Sequence, residues 1–149
     1  FVIGQDAFLL RASSEMETSG AGIFADLLRL TTGKLLSVFS SGKRRLETRT
    51  ATVGIRGTGI YMEAEPKRSY VCTCYGSAVI SPRDYPTMSE TVNTTHHESP
   101  LYIYSDPSMP MDQMMPAAPV VNHTDVELVI LEVLVGRIPP FVGKDGPPY

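Results

Sequence analysis

Eleven of the twelve prolines in this 149-residue chain lie at or beyond position 82. Proline donates no backbone hydrogen bond and fixes φ, so regular sheet tolerates it only at edges and bulges. The chain therefore splits into a stretch that can form continuous sheet, residues 1–81, and one that cannot, residues 82–122, which holds Pro82, Pro86, Pro100, Pro107, Pro110, Pro116 and Pro119. Within the first stretch, short apolar or alternating runs follow one another: FVI (1–3), AFLLR (7–11), ADLLRL (25–30), KLLSVF (34–39), RLETRTATV (45–53), GIYMEAE (59–65) and SYVCTCYGSAVI (69–80). Turn residues separate them: Gly4, Ser13–Ser14, the Gly20–Gly22 cluster, Thr31–Gly33 and Ser40–Gly42. Short strands with such punctuation predict a mainly β domain, as a roll, a sandwich or a solenoid-like sheet. The proline-rich stretch is expected to be an extended arm wrapped on that core. One strand is expected within SPLYIYS (99–105), because Leu101, Tyr102, Ile103 and Tyr104 need burial.

The sequence after the arm predicts a helix. Thr124-Asp125-Val126-Glu127 is a capping box, in which the threonine hydroxyl accepts from the third helical amide and the glutamate reaches back. The apolar run VELVILEVLV (126–135) follows; Gly136 can take the left-handed conformation that ends a helix, and Pro139 and Pro140 prevent resumption. The expected organisation is a single domain, 1–149: a β core (1–81), a Pro/Met-rich arm (82–122), and a short helix, about 125–135, within a capped segment whose tail GKDGPPY is loose (123–149). A chain of this size buries roughly 70% of its unfolded surface and can build a core without staples.

Composition limits the functional classes. Net charge is −3, which gives no global attraction to nucleic acid. The charge is uneven: Arg29, Lys34, Lys43, Arg44, Arg45, Arg49 and Arg56 face a single acid, Glu47, over residues 29–56. That stretch reads as a solvated basic face or a docking surface for an anionic partner. No aromatic residues interleave with the Lys43–Arg45 cluster, so no nucleic-acid partner is expected. The longest apolar run, 126–135, carries two glutamates and is far short of the roughly 20 residues of a membrane helix, so no transmembrane segment is expected in this chain.

The stretch TATVGIRGTG (50–59) concentrates glycine and threonine around one arginine. A phosphate-binding P-loop needs G-x-x-x-x-G-K-[ST] leading into a helix, and a dinucleotide fingerprint also needs a helix after its glycines. Here no lysine follows, and the next residues, IYMEAE, alternate like a strand. The reading is a structural corner at Gly54, Arg56, Gly57 and Thr58, with Thr48, Thr50 and Thr52 on one strand face.

The residues around that corner, TRTATVGIRGTGIYMEAE followed by SYVCTCYGSAVI, resemble the FecR-type domain. Thr48, Thr50, Ala51, Val53, Gly54, Ile55, Arg56, Gly57, Thr58, Ile60 and Met62 fit the family's valine-rich run ending in Arg-Gly-Thr. Val71, Gly76, Ser77 and Val79 fit the strand after it, and the likeness spans about residues 1–80. Arg49 stands where that family usually has proline, and Gly59 where it usually has a polar residue. The resemblance implies a bacterial, periplasmic or extracellular, mostly β module without catalytic apparatus, acting on a protein partner in the cell envelope. Some family members are the periplasmic part of anti-sigma regulators. This chain carries no recognisable cytoplasmic anti-sigma segment, so a stand-alone exported FecR-like protein is expected.

The residues with metal-ligand chemistry are few and grouped. Cys72 and Cys74 are the only cysteines, His96, His97 and His123 the only histidines, and Met109, Met111, Met114 and Met115 lie in the loop SMPMDQMMP (108–116). In a strand, residues i and i+2 share a face, so both thiols point the same way. Their Cα atoms would sit about 6.6 Å apart, near the upper limit for a disulfide, so a bridge there would be strained. Thiolate and imidazole together suit Zn²⁺, and thiolate or thioether suits Cu(I). The competing readings are two small core residues beside hydrogen-bonded histidines, or a copper or zinc site made by Cys72, Cys74 and one or two of His96, His97 and His123. In an extended His-His pair the rings diverge, so one of His96 and His97 is expected to stay outside. No other cofactor is implied. Without a G-x-S-x-G or H-E-x-x-H motif, and with both cysteines on a buried strand face, an enzyme is not expected.

Overall fold

The computed structural model describes residues 1–20 and 26–143; most of the Gly20–Gly22 cluster and the tail from position 144 onward lie outside the described residues. The fold is mainly β: an open, mixed sheet of nine strands with one helix packed on it. The strands are β1 (Val2–Ile3), β2 (Asp6–Leu10), β3 (Glu15–Ser19), β4 (Leu27–Val38), β5 (Lys43–Glu47), β6 (Ala51–Ala64), β7 (Ser69–Pro82), β8 (Glu90–Thr94) and β9 (Leu101–Ile103), and the helix is α1 (Asp125–Leu134). The main path runs β1-β2-β4-β5-β6-β7-β8, with β3 on β4, β9 on β7 and a second pairing of β4 with β6. All pairings are antiparallel except β4 with β5.

The strand alternation produces two apolar layers. Leu28, Leu30, Leu35, Leu46, Val53, Ile60, Met62, Val71 and Ile80 form one of them. Leu36, Val38, Tyr61, Tyr70, Cys72, Cys74 and Tyr75 form the other layer, which Leu128 and Leu131 of α1 and Phe141 cover. The long central hairpin of β6 and β7 contributes to both layers, which is why consecutive residues 58–64 and 69–75 are buried.

Several expectations change in the structure. The two expected runs meet in one strand, β4, which holds residues 27–30 and 34–38 and passes through Gly33 at φ +90°. A Cβ at Gly33 would sit 2.1 Å from Ser14 Oγ, and that hydroxyl accepts the Lys34 amide at 2.8 Å. Segment 45–53, expected as one strand, is two. β5 ends at Glu47 and the chain turns over residues 48–50, where Thr48 Oγ1 accepts the Ala51 amide at 2.9 Å. Thr48 and Thr50 therefore do not alternate on a strand face with Thr52. Their hydroxyls instead meet Ser69 Oγ at 2.6 and 2.7 Å, tying this turn to the start of β7.

The Arg-Gly-Thr stretch is a bulge within a continuous strand. The β6–β7 register shifts between Arg56 and Gly59, Gly57 takes φ +58°, and Thr58 Oγ1 donates to Ser77 O at 2.9 Å. Gly54 lies in regular sheet opposite Val79, and Arg56 is exposed across from Lys43. The arm returns to the sheet twice, as β8 and as β9, the latter within the expected 99–105 segment. The helix matches its predicted start: Thr124 Oγ1 accepts the Glu127 amide and the Glu127 carboxylate accepts the Thr124 amide.

Candidate metal centre

Tyr70, Cys72 and Cys74 project from β7 toward α1, and both cysteines are free and fully buried. Two loop segments bring imidazoles to them. The first is the turn after β8. Thr94 Oγ1 accepts the amides of His96 (3.1 Å) and Glu98 (3.0 Å), and the His97 amide donates to Cys74 O at 2.9 Å. His97 itself adopts φ +52°, so residues 96 and 97 are not an extended pair. The second segment enters α1. Asn122 takes φ +63° and anchors its side chain on Glu63 at 2.7 Å, and His123 stacks on the Tyr61 ring with centroids 4.4 Å apart.

The result is a buried cluster of Cys72, Cys74, His97 and His123 whose ligand atoms all lie within 4.8 Å of one another. Cys72 Sγ is 3.5 Å from His97 Nδ1, and His97 Nδ1 is 3.1 Å from His123 Nε2. His97 and His123 are only 4% and 5% exposed, so solvent does not reach the cluster. The remaining ring nitrogens point outward to fixed acceptors. His97 Nε2 meets Asp125 Oδ1 at 2.9 Å, and His123 Nδ1 meets the Val121 carbonyl at 2.7 Å.

His96 lies outside the thiol cluster. Its Nε2 meets both oxygens of Asp125 at 2.9 Å, and its ring stacks on Phe141. Asp125 thus takes two imidazoles, which the sequence reading missed; its place two residues after His123 and inside the capping box was the available signal. The methionine loop does not join the cluster as a unit: Met111 is exposed, and Met115 packs against the opposite apolar layer.

The electrostatics are cooperative. A hydrogen bond from Cys74 lowers the Cys72 thiol well below its ordinary value against the opposing effect of burial, with His123 and His97 adding to it. Burial pushes the Cys74 thiol up, and the neighbouring Cys72 adds to that. Burial opposes a charged His97, but hydrogen bonds and charge from Cys72 and Asp125 outweigh it and raise its basicity. Such a donor set can hold a thiolate-binding cation. It is a poor nucleophilic site, because no substrate can approach a thiol at zero exposure.

No protein-family model matches the chain, and no curated protein matches it. Among solved structures it is similar to two crystal structures of a proposed anti-sigma factor from Parabacteroides distasonis ATCC 8503, each with 12% identity and a TM-score of 0.57. The match covers 76% of this chain and 50% of that one, so the chain spans about half the length of the protein it resembles. At this identity the likeness is one of fold.

Proposed function

We propose that this chain is a non-catalytic, FecR-like extracytoplasmic module that works by contacting another protein. The observation that carries the reading is the outer face of α1. Leu128 and Leu131 anchor the helix to the sheet, while Val126, Ile130, Val133 and Leu134 are all more than half exposed. Residues 126, 130, 133 and 134 recur at i, i+4, i+7 and i+8, which places them on one stripe. Clustered exposed aliphatic residues on a rigid element are a common mark of a protein contact. The shared fold with a proposed anti-sigma factor and the Arg-Gly-Thr bulge support the regulatory side of the reading.

The test is site-specific photocrosslinking from position 130 in bacterial cells, with fractionation to locate the adduct. One discrete adduct in the envelope fraction, lost on Val126→Glu with Val133→Glu while the fold is kept, is the expected result. A chain found only in the cytosol, or adducts spread over many proteins and indifferent to those changes, would overturn it.

A further inference from the structure

Proton placement around the buried cluster points to a cation-binding site. A carbonyl oxygen only accepts, so His123 must carry its hydrogen on Nδ1, toward Val121 O at 2.7 Å. A carboxylate likewise accepts, so His97 carries a hydrogen on Nε2, toward Asp125 Oδ1 at 2.9 Å. In the neutral form of both imidazoles, His97 Nδ1 and His123 Nε2 present lone pairs to each other at 3.1 Å, and Cys72 Sγ lies 3.5 Å from the same His97 nitrogen. Two facing lone pairs in a buried site are repulsive unless a positive centre lies between them. A proton would relieve this one pair. The sulfurs of Cys72 and Cys74 belong to the same cluster, however, with all four ligand atoms within 4.8 Å of one another, and a metal ion can take all four donors at once.

The spacing has a metric signature. With metal–sulfur bonds of about 2.3 Å and metal–nitrogen bonds of about 2.0 Å, a tetrahedral site has sulfur–nitrogen edges of about 3.5 Å and nitrogen–nitrogen edges of about 3.3 Å. The observed separations are 3.5 Å for Cys72 Sγ to His97 Nδ1 and 3.1 Å for His97 Nδ1 to His123 Nε2. All four ligand atoms already fall within 4.8 Å of one another, so closure needs side-chain shifts of only about an ångström. The outer shell is built as well. A metal-bound histidine usually gives its other N–H to a carboxylate or a backbone carbonyl, and here one histidine does each.

From this geometry we infer that Cys72, Cys74, His97 and His123 form a closed, tetrahedral Zn²⁺ site, with Asp125 orienting His97 from outside it. Two thiolates and two imidazoles at tetrahedral spacing match the donor preference and the geometry of zinc. Four protein ligands sealed from solvent leave no open position for a reacting water, so the ion is structural. It fastens three separate segments to one another: strand β7, the turn after β8, and the entry to α1. The site therefore staples the proline-rich arm and the contact helix onto the sheet. This inference stands on the donor geometry and does not depend on the identity of any protein partner.

The test uses the full chain, purified under reducing conditions, stripped with a chelator and titrated with Zn²⁺ and separately with Co²⁺. The expected result is one equivalent of Zn²⁺, and a Co²⁺ form with the intense ligand-field absorption of a tetrahedral site and a sulfur-to-metal charge-transfer band. His97→Gln and the Cys72→Ser, Cys74→Ser pair should lose that stoichiometry, while His96→Ala should keep it. Because the cobalt spectrum is read on the unaltered chain, the outcome stands even where a variant fails to fold. A folded, reduced chain that takes up no Zn²⁺, one that binds Cu(I) but not Zn²⁺, an octahedral cobalt spectrum, or equal loss from the His96 and His97 variants would each overturn the assignment.

Discussion

His97 and Asp125 meet at 2.9 Å across 28 residues of chain, and that contact joins the turn after β8 to the first residue of α1. Asp125 also sits where a helix dipole favours negative charge, so it serves the helix and the histidines at once. Asp125→Asn removes the charge and leaves one acceptor oxygen for two imidazoles. The expected result is a loss of about 1–2 kcal/mol in urea unfolding. If the cluster holds zinc, affinity should fall by about 10- to 100-fold in competition with a chromophoric chelator. His96→Ala, which leaves the His97 contact in place, should change zinc affinity far less.

Thr124→Ala should cost about 1 kcal/mol, because the buried cluster and the helix share this junction and the capping box is complete. Glu127 is held in that box and also by Arg11 at 2.6 Å, so its carboxylate remains placed when the threonine hydroxyl is gone. Thr124→Ser should therefore restore most of the loss. Chemical denaturation of the three proteins side by side measures this, and equal stability of Ala and Thr forms would show that the cap is redundant.

How far this site was readable from sequence depends on the element. The two cysteines fell on one face because residues 70, 72 and 74 of β7 keep the strand period, which breaks beside Cys74, where the register with β6 shifts and Tyr75 joins the same layer. Which of His96 and His97 would reach them could not be read, because His97 has a left-handed backbone at φ +52° that no residue type there announces. The helix was legible to within a residue because capping chemistry is local. β3 was not, since Glu15–Ser19 is a largely exposed, polar strand stabilised by its pairing with β4 rather than by its own pattern. The break at 48–50 was hidden for the opposite reason. Its threonines have strand propensity, but Ser69, distant in sequence, bonds the hydroxyls of Thr48 and Thr50 in a turn.

Glu47 should shape the acid limb of the stability curve. Its carboxyl lies below the usual range, chiefly through the Arg29 hydrogen bond and, against opposing burial, the charges of Arg45, Arg29 and Arg83. A group depressed in the folded state adds stability above its unfolded value and loses it as pH falls through the folded value. Urea midpoints taken at descending pH should therefore decline, and Glu47→Gln should start lower at neutral pH and decline less steeply. Parallel curves for the two proteins would remove Glu47 from the account.

Gly59 and Gly54 lie five residues apart on β6 and should respond oppositely to a methyl group. A Cβ at Gly59 would fall 2.3 Å from the Tyr75 ring, and Tyr75 cannot easily yield because its hydroxyl donates to the buried Glu132 of α1. Glu132 in turn accepts from Arg137 at 2.6 Å, so displacing the ring disturbs the C-terminal seat of the helix. Gly59→Ala should cost about 1–3 kcal/mol, as overpacking does. At Gly54 the nearest atom to a new Cβ is the Val79 carbonyl oxygen at 4.0 Å, and the residue is exposed in regular sheet. Gly54→Ala should be neutral or stabilising by up to about 1 kcal/mol, since it reduces the freedom of the unfolded chain without strain. Thermal and urea unfolding of both variants give the comparison, and a Gly59→Ala protein as stable as the parent would mean that Tyr75 and the helix behind it can move together.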